Sequence, residues 1–322
     1  MINNDETLKT HSNFNVPILF VVFNRLDTTK QVFDIIRKVS PKKLYIASDG
    51  PRDNREGEKE KIESVRDYAL KSIDWDCDVK TLFREKNLGC GQGPAQAIEW
   101  FFENEEMGIL LEDDVIPGIS FFPYCEELLY KYRYDTRISM IGGFNFFDKE
   151  KISDTYYYSR YVLTSGAFAS WRRAWGDYDF YISKWKLLRQ TDFINRVYPT
   201  DYQAKHYAAI FDNALAGNAN DAWDYQWSFL NLLNDWKCIL PCCNLVKNIG
   251  FGEDATHTKS SNDALAKMFQ ALPEGEITLP LKHPLSFNAD ITRDKAFLDM
   301  QVAKPKSILQ KLIKKCCKIL RK

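Results

Sequence analysis

Short, wholly apolar runs alternate with longer amphipathic ones through the first 130 or so residues, and this alternation constrains the fold more than any other feature of the chain. "VPILFVVF", Val16 to Phe23, is a continuous apolar stretch of the kind buried on both faces of a parallel sheet. The segment after it, through Val39, keeps Val32, Phe33, Ile36 and Val39 at helical spacing, with Asp27 as the candidate cap. "KLYIAS" predicts a second strand turning at "DGPRDN", and Glu58 to Ser72 predicts a charged amphipathic helix. "VKTLFR" reads as a third strand, "NLGCGQGP" as a loop, Ala95 to Phe102 as a helix and "GILLE" as a fourth strand. A further helix runs from Phe121 to Tyr132. Strand then helix, four times over, predicts a doubly wound, mainly parallel α/β sheet flanked by helices.

After Ser139 the alternation fades. "MIGGFNFF" and "YYYSRYVLTSGAFAS" suggest strands, while "WRRAWGDYDFYI" and "WDYQWSFLNLLND" suggest helices. With no repeat and no long linker, the expected organisation is a polar N-terminus (1–15), a ligand-binding half (16–138) and a second half (139–303). The second half should pack on the same sheet as the other wall of a cleft, and a basic tail (304–322) follows. Aromatic residues make up 14% of the chain and concentrate between Tyr156 and Trp236, where they can serve as core or as sugar platforms.

A net charge of zero conceals an asymmetry. The tail from Lys304 to Lys322 carries eight Lys or Arg and no acid, which leaves residues 1–303 at −8. A basic tail on an acidic body points to a local anionic partner rather than to nucleic acid. The N-terminus lacks a secretory pattern, and no apolar run approaches the roughly 20 residues needed to cross a bilayer. The eight cysteines lack zinc spacing and read as reduced thiols of a cytoplasmic protein.

In open α/β sheets, ligands bind beyond the carboxyl ends of the strands. The residues expected there are Asn24 and Arg25, Asp49 and Gly50, Arg84 to Asn87, and the triplet Glu112–Asp113–Asp114. The triplet poses the sharpest question, because three adjacent carboxylates repel unless a cation sits among them. A solvated turn would need no partner, but the apolar run before it and its strand-end position argue against that. A calcium loop would alternate its acids, and this sequence does not. A divalent ion held by few protein ligands and shared with a nucleotide diphosphate fits the pattern best.

The motifs "VVFNR", "SDG", "LLEDDVIPGISFFPYCEELL", "GAFASWRRAW", Trp223–Asp224 and "GFGEDATH" occur in order between Val16 and Thr258. In these the chain resembles the GT-A nucleotide-sugar glycosyltransferases. It is most similar to the N-acetylglucosaminyltransferase I type, with its E-D-D motif, and to bacterial glycosyltransferase family 2-like proteins. The resemblance implies a GT-A (Rossmann-like) fold in which Asp114 ligates Mn²⁺ or Mg²⁺. It also implies that Glu112 and Asp113 contact the ribose and that Arg25 and Asp49 hold the base, with Asn24 and Asn87 on the nucleotide side. Arg25 as a surface cation and Asp49 as a turn residue before Gly-Pro remain open alternatives.

Asp224 is the implied general base, with Asp221 as the alternative in "NDAWDYQWSFL". One base on the acceptor side implies a single displacement with inversion, driven by metal neutralisation of the departing diphosphate; retention stays an open alternative, because sequence does not fix the distance between carboxylates. "GFGEDATHT" reads as a loop closing over the donor, with His257 in reach of phosphate or metal. "NLGCGQGPA" is neither a P-loop nor a Rossmann fingerprint.

The tail places Ile308, Leu309, Leu312, Ile313, Cys316, Ile319 and Leu320 on one helical stripe with lysines opposite, as in helices lying on anionic membrane surfaces. The expected partners are therefore a nucleotide-diphosphate sugar, a glycan or lipid-linked acceptor of polysaccharide assembly, and the inner membrane face through residues 304–322. Two rivals stand beside this expectation. A sugar-phosphate nucleotidyltransferase would carry a Gly-rich, Arg-containing loop after the first strand, which "FNRLDTT" is not, and a non-catalytic scaffold would not need the acids.

Overall fold

The structure is a computed structural model that describes residues 14–147, 154–164, 166–218, 222–250, 272 and 274–302. Its first half follows the predicted alternation closely. Strands β1 (Ile18–Val22), β2 (Lys43–Ser48), β3 (Asp78–Phe83) and β4 (Met107–Glu112) are interleaved with helices α1 (Leu26–Val39), α2 (Glu58–Lys71) and α3 (Gly89–Asn104). A short β5 (Val115–Pro117) and helix α4 (Phe121–Lys131) complete it.

Two local expectations differ. Helix α1 starts one residue before Asp27, which lies in its first turn rather than at the cap; the helix is entered from Arg25, with no side-chain cap bond. The first turn is tied instead by the Thr28 and Thr29 hydroxyls, which donate to the Arg25 carbonyl at 3.1 and 2.7 Å. The glycine-rich segment expected as a loop is the opening of α3, which begins at Gly89. Gly89 enters the helix at a φ of +82°, and Gly93 answers to space: a Cβ there would stand 3.1 Å from Asp49 Oδ2.

The second half adds β6 (Ile138–Gly142), β7 (Tyr156–Ser159), β8 (Ala167–Trp171), single-turn helices α5 (Arg172–Trp175) and α6 (Trp185–Leu188), and α7 (Phe193–Val197). Helices α8 (Asp201–Leu215) and α9 (Asp224–Leu233), strands β9 (Lys237–Pro241) and β10 (Val246–Asn248), and α10 (Ile291–Gln301) follow. The helix expected from "WRRAWGDYDFYI" is thus one turn, stopped at Gly176.

Eight strands form one sheet in the order β3-β2-β1-β4-β8-β6-β9-β7, and β5 pairs separately with β10. Strands β3, β2, β1 and β4 are parallel; β8 runs against both β4 and β6, while β9 is parallel to β6 and β7 antiparallel to β9. The result is a mixed, mostly parallel sheet with helices on both faces.

Strand alternation divides the core between those faces. Ile18, Phe20, Ile109 and Leu111 join Val32, Phe33 and Ile36 of α1 on one side. Leu19, Tyr45 and Leu110 join Ile98 and Phe101 of α3 and Trp227 and Leu230 of α9 on the other. Much of the aromatic enrichment is core, since Tyr156, Trp171, Trp185 and Trp227 are fully buried. The described cysteines are free thiols. Among the described residues, no helix is long and apolar enough to cross a membrane.

Candidate active site

Parallel pairing sets the site. Val21 lies beside Glu112, so the residues leaving β1 and those leaving β4 emerge next to each other at one sheet edge. Glu112 ends β4, and Asp113 and Asp114 form the turn into β5. Strand β10 closes this turn from the other side: Asn248 opposes Val115, and the Ile249 N–H donates to the Asp114 carbonyl at 2.8 Å.

The sequence reading put a divalent ion among the acids and Arg25 on the nucleotide base; in the structure it is Arg25 that sits between two of the acids. Its Nη2 donates to Asp113 Oδ1 at 3.0 Å and to Asp114 Oδ2 at 2.7 Å, and Nη1 reaches the Gly250 carbonyl at 3.5 Å. Burial works against the guanidinium charge, yet the two aspartates hold its pKa above the ordinary arginine value. Asp113 is the better anchored acid. It is 5% exposed, accepts from the Phe23 N–H at 3.1 Å and lies 3.5 Å from the Thr29 hydroxyl. Burial raises its carboxyl to about 6, against the restraint of Arg25.

Glu112 differs. Burial pushes its carboxyl up to about 8, and the charges of Asp114, Asp113 and Asp224 add to the shift while Arg25 opposes it. Among the described residues the guanidinium bonds to the other two acids and not to Glu112. Gly166, at the start of β8 with φ of +78°, packs so closely that an added Cβ would stand 2.7 Å from Glu112 Oε2.

Asp224 belongs to the same charge group, because its carboxylate contributes to the Glu112 shift. It opens α9, with Oδ1 accepting from the Tyr225 N–H at 3.1 Å. Trp223 positions this helix start: its ring stacks on Phe168 of β8 at 5.7 Å, and its carbonyl accepts from the Tyr178 hydroxyl at 2.9 Å. Asp221 and His257, the other expected base and metal candidates, lie outside the described residues.

A second polar group lies along the edge toward β2 and β3. Asp49 Oδ2 accepts from the Leu88 and Gly89 N–H groups at 2.8 and 3.1 Å, at the entry to α3. Asn87 donates to the Gly50 carbonyl at 2.8 Å and accepts from the Gly89 N–H at 3.1 Å, so its amide braces this turn. Asp49 Oδ1 is buried with no hydrogen-bond partner. Burial raises the Asp49 pKa, partly offset by the Leu88, Gly50 and Gly89 amides and by Arg84. An unpaired buried carboxylate oxygen is costly unless something donates to it, which is what a ligand N–H would do.

Three residues that the sequence reading did not single out hold this edge together. The Arg66 guanidinium donates to the Ser48, Asp49 and Arg84 carbonyls at 3.3, 3.0 and 2.7 Å, tying the ends of β2 and β3. Glu58, 5% exposed at the start of α2, accepts from Asn24 Nδ2 at 3.0 Å and from the Arg52 N–H at 2.7 Å. The Arg52 guanidinium pairs with the same Glu58 carboxylate. Asn24 thus braces the sheet edge through Glu58. An acid in the first turn of a charged helix was the available signal for Glu58, and its reach across 34 residues to Asn24 was not.

Among the described residues, no group of three or more His, Cys, Asp and Glu is arranged as a metal cage. Asp114 Oδ2 is engaged by Arg25, and the side chain is 19% exposed. This donor set does not build a self-sufficient cage. It suits an ion that takes one carboxylate oxygen from the protein and the rest from phosphate and water.

No family model and no curated protein matches the chain. Among solved structures it is similar to HddC from Yersinia pseudotuberculosis, at 10% identity and a TM-score of 0.31, covering 51% of this chain and 80% of that one. It is similar to a UDP-glucose pyrophosphorylase complexed with UDP-glucose, at 10% identity and a TM-score of 0.35, covering 70% and 90%. A third is the inositol-1-phosphate CTP transferase from T. maritima, at 10% identity and a TM-score of 0.33, covering 82% and 99%. All three are loose overlaps.

Proposed function

We propose that the chain is a GT-A-type glycosyltransferase that moves a sugar from a nucleotide diphosphate, a UDP-sugar, to a hydroxyl of a glycan or lipid-linked acceptor. The observation that carries the reading is the acid cluster at the end of β4, where Asp113 and Asp114 are both held by Arg25 from the end of β1 and Asp224 is among the charges acting on Glu112. A base on the acceptor side of a diphosphate-binding acid cluster is what a direct displacement with inversion needs, and Asp224 is the candidate.

Asp114 would hold Mn²⁺ or Mg²⁺ together with the diphosphate; the bound ion supplies neutralisation of the leaving group. Asp113 keeps Arg25 in place, and Asp49 offers its unpaired Oδ1 to a base N–H. Asp224 takes the proton of the acceptor hydroxyl. His257, in the segment after Gly250, is retained as a further candidate for phosphate or metal.

A sugar-phosphate nucleotidyltransferase is the rival on the same kind of sheet. Between β1 and α1 only Phe23, Asn24 and Arg25 intervene, which leaves no room for a glycine-rich triphosphate loop. The basic stripe of residues 304–322 is consistent with docking on an anionic membrane surface near a lipid-linked acceptor.

A thermal-shift panel of nucleotide diphosphates and their sugars, with and without Mn²⁺, tests the donor class. Stabilisation by UDP or UDP-sugars that requires Mn²⁺ supports the proposal. Pyrophosphate release from UTP and a sugar 1-phosphate would replace it with the rival.

A further inference from the structure

The two aspartates that share Arg25 are not equivalent. Asp113 is buried and has the Phe23 N–H as a second donor, with the Thr29 hydroxyl at its edge, so its carboxylate is fixed whether or not Arg25 moves. Asp114 is more exposed, and the bond from Arg25 is the one hydrogen bond to its carboxylate among the described residues. A guanidinium carries five N–H donors. Here Nη2 serves both acids, while Nη1 has only the long 3.5 Å contact to the Gly250 carbonyl. Arg25 therefore has donors to spare, a fixed pivot at Asp113 and a looser partner at Asp114.

We propose that Arg25 is a built-in competitor for the metal position: it occupies Asp114 until a nucleotide diphosphate draws its spare donors away, so that ion and nucleotide bind as a pair. The inference rests on the reading of Asp114 given under Proposed function. A divalent ion and a guanidinium on one carboxylate repel each other and compete for the same oxygens, and Asp113 is already committed to Arg25 and the Phe23 N–H. Phosphate oxygens change that balance because they accept from Arg25 and ligate the ion at once. The physical consequence is an ion affinity that depends on nucleotide. Water and free metal are then poor triggers of the site, and the donor sugar arrives with its counterion already assigned.

The test is Mn²⁺ binding by the full chain, followed through the electron paramagnetic resonance signal of the free ion, with and without UDP. The wild type is expected to bind Mn²⁺ weakly alone and about tenfold or more tightly with UDP, and Arg25→Gln to bind Mn²⁺ alone about tenfold more tightly than the wild type. Arg25→Lys, which keeps the charge, should stay close to the wild type without nucleotide. Should Arg25→Gln fail to fold with both acids unpaired, the double variant Arg25→Gln/Asp113→Asn keeps Asp114 and is expected to show the same gain. Equal or weaker ion-only affinity in the charge-removed variants overturns the inference while leaving the metal reading intact. Absence of Mn²⁺ binding in every protein, with UDP present, removes the metal reading and this inference together.

Discussion

Arg25 Nη2 lies 2.7 Å from Asp114 Oδ2, and the same nitrogen lies 3.0 Å from Asp113 Oδ1. This contact links the end of β1 to the end of β4 and answers how three adjacent carboxylates are tolerated. Two share a guanidinium, and the third, Glu112, has its pKa raised by burial and by its acidic neighbours.

Asp224→Asn separates binding from chemistry. The substitution keeps the hydrogen-bonding start of α9 but removes the base, so nucleotide affinity should stay within about twofold while transfer falls by roughly 10²–10⁴. Calorimetry with UDP and a single-turnover assay check it. Transfer at the wild-type rate would place the base elsewhere, with Asp221 the first to examine.

Glu112→Gln tests the protonated acid. The folded-state pKa of Glu112, about 8, lies above its ordinary 4.5, so its contribution to stability is present below about pH 4.5 and lost as pH rises through about 8. The wild type should lose stability across that interval relative to Glu112→Gln, opening a gap of about 2–4 kcal/mol by pH 9. Paired denaturation curves at pH 5 and pH 9 in chelator measure it, and a gap that does not change with pH would refute the shift.

Gly166→Ala should be costly out of proportion to its one methyl. The position has a φ of +78°, and the added carbon would press on Glu112 Oε2 and on Val115. A loss of about 2 kcal/mol or more is expected from the backbone conformation and the crowding together. A thermal melt reads the effect, and a variant as stable as the wild type would contradict this packing.

Removal of residues 304–322 should abolish flotation of the protein with liposomes rich in anionic lipid, and should leave Mn²⁺-dependent UDP binding unchanged. Equal flotation of the full chain and the 1–303 form would discard the membrane role of the tail.

The parts of this fold that were legible in the sequence are those where composition and geometry agree. β1, β2 and β4 are apolar runs because both of their faces are covered, and the polar residues after them meet at the sheet edge as the pattern requires. The pairing of Arg25 with Asp113 and Asp114 was missed: the sequence called for a cation, which was assigned to a divalent ion with Arg25 placed on the base, because the pairing joins strand ends 88 and 89 residues apart.

The start of α3 was misread because glycines normally signal loops, whereas here Gly93 lets a helix approach Asp49. Strands β5 and β10, three residues each, are too short to carry a periodic signal. α8 was not foreseen, because charged positions break its apolar spacing; the structure shows it capped by the Thr200 hydroxyl, which accepts from the Gln203 N–H at 3.4 Å.

The most direct test of the central claim is calorimetric titration of UDP into the wild type and Asp114→Asn, with and without Mn²⁺. The account predicts that the wild type binds UDP about tenfold or more tightly with the ion, and that Asp114→Asn loses this dependence. The same Mn²⁺-dependent affinity in Asp114→Asn would show that the acid at the end of β4 does not share an ion with the diphosphate.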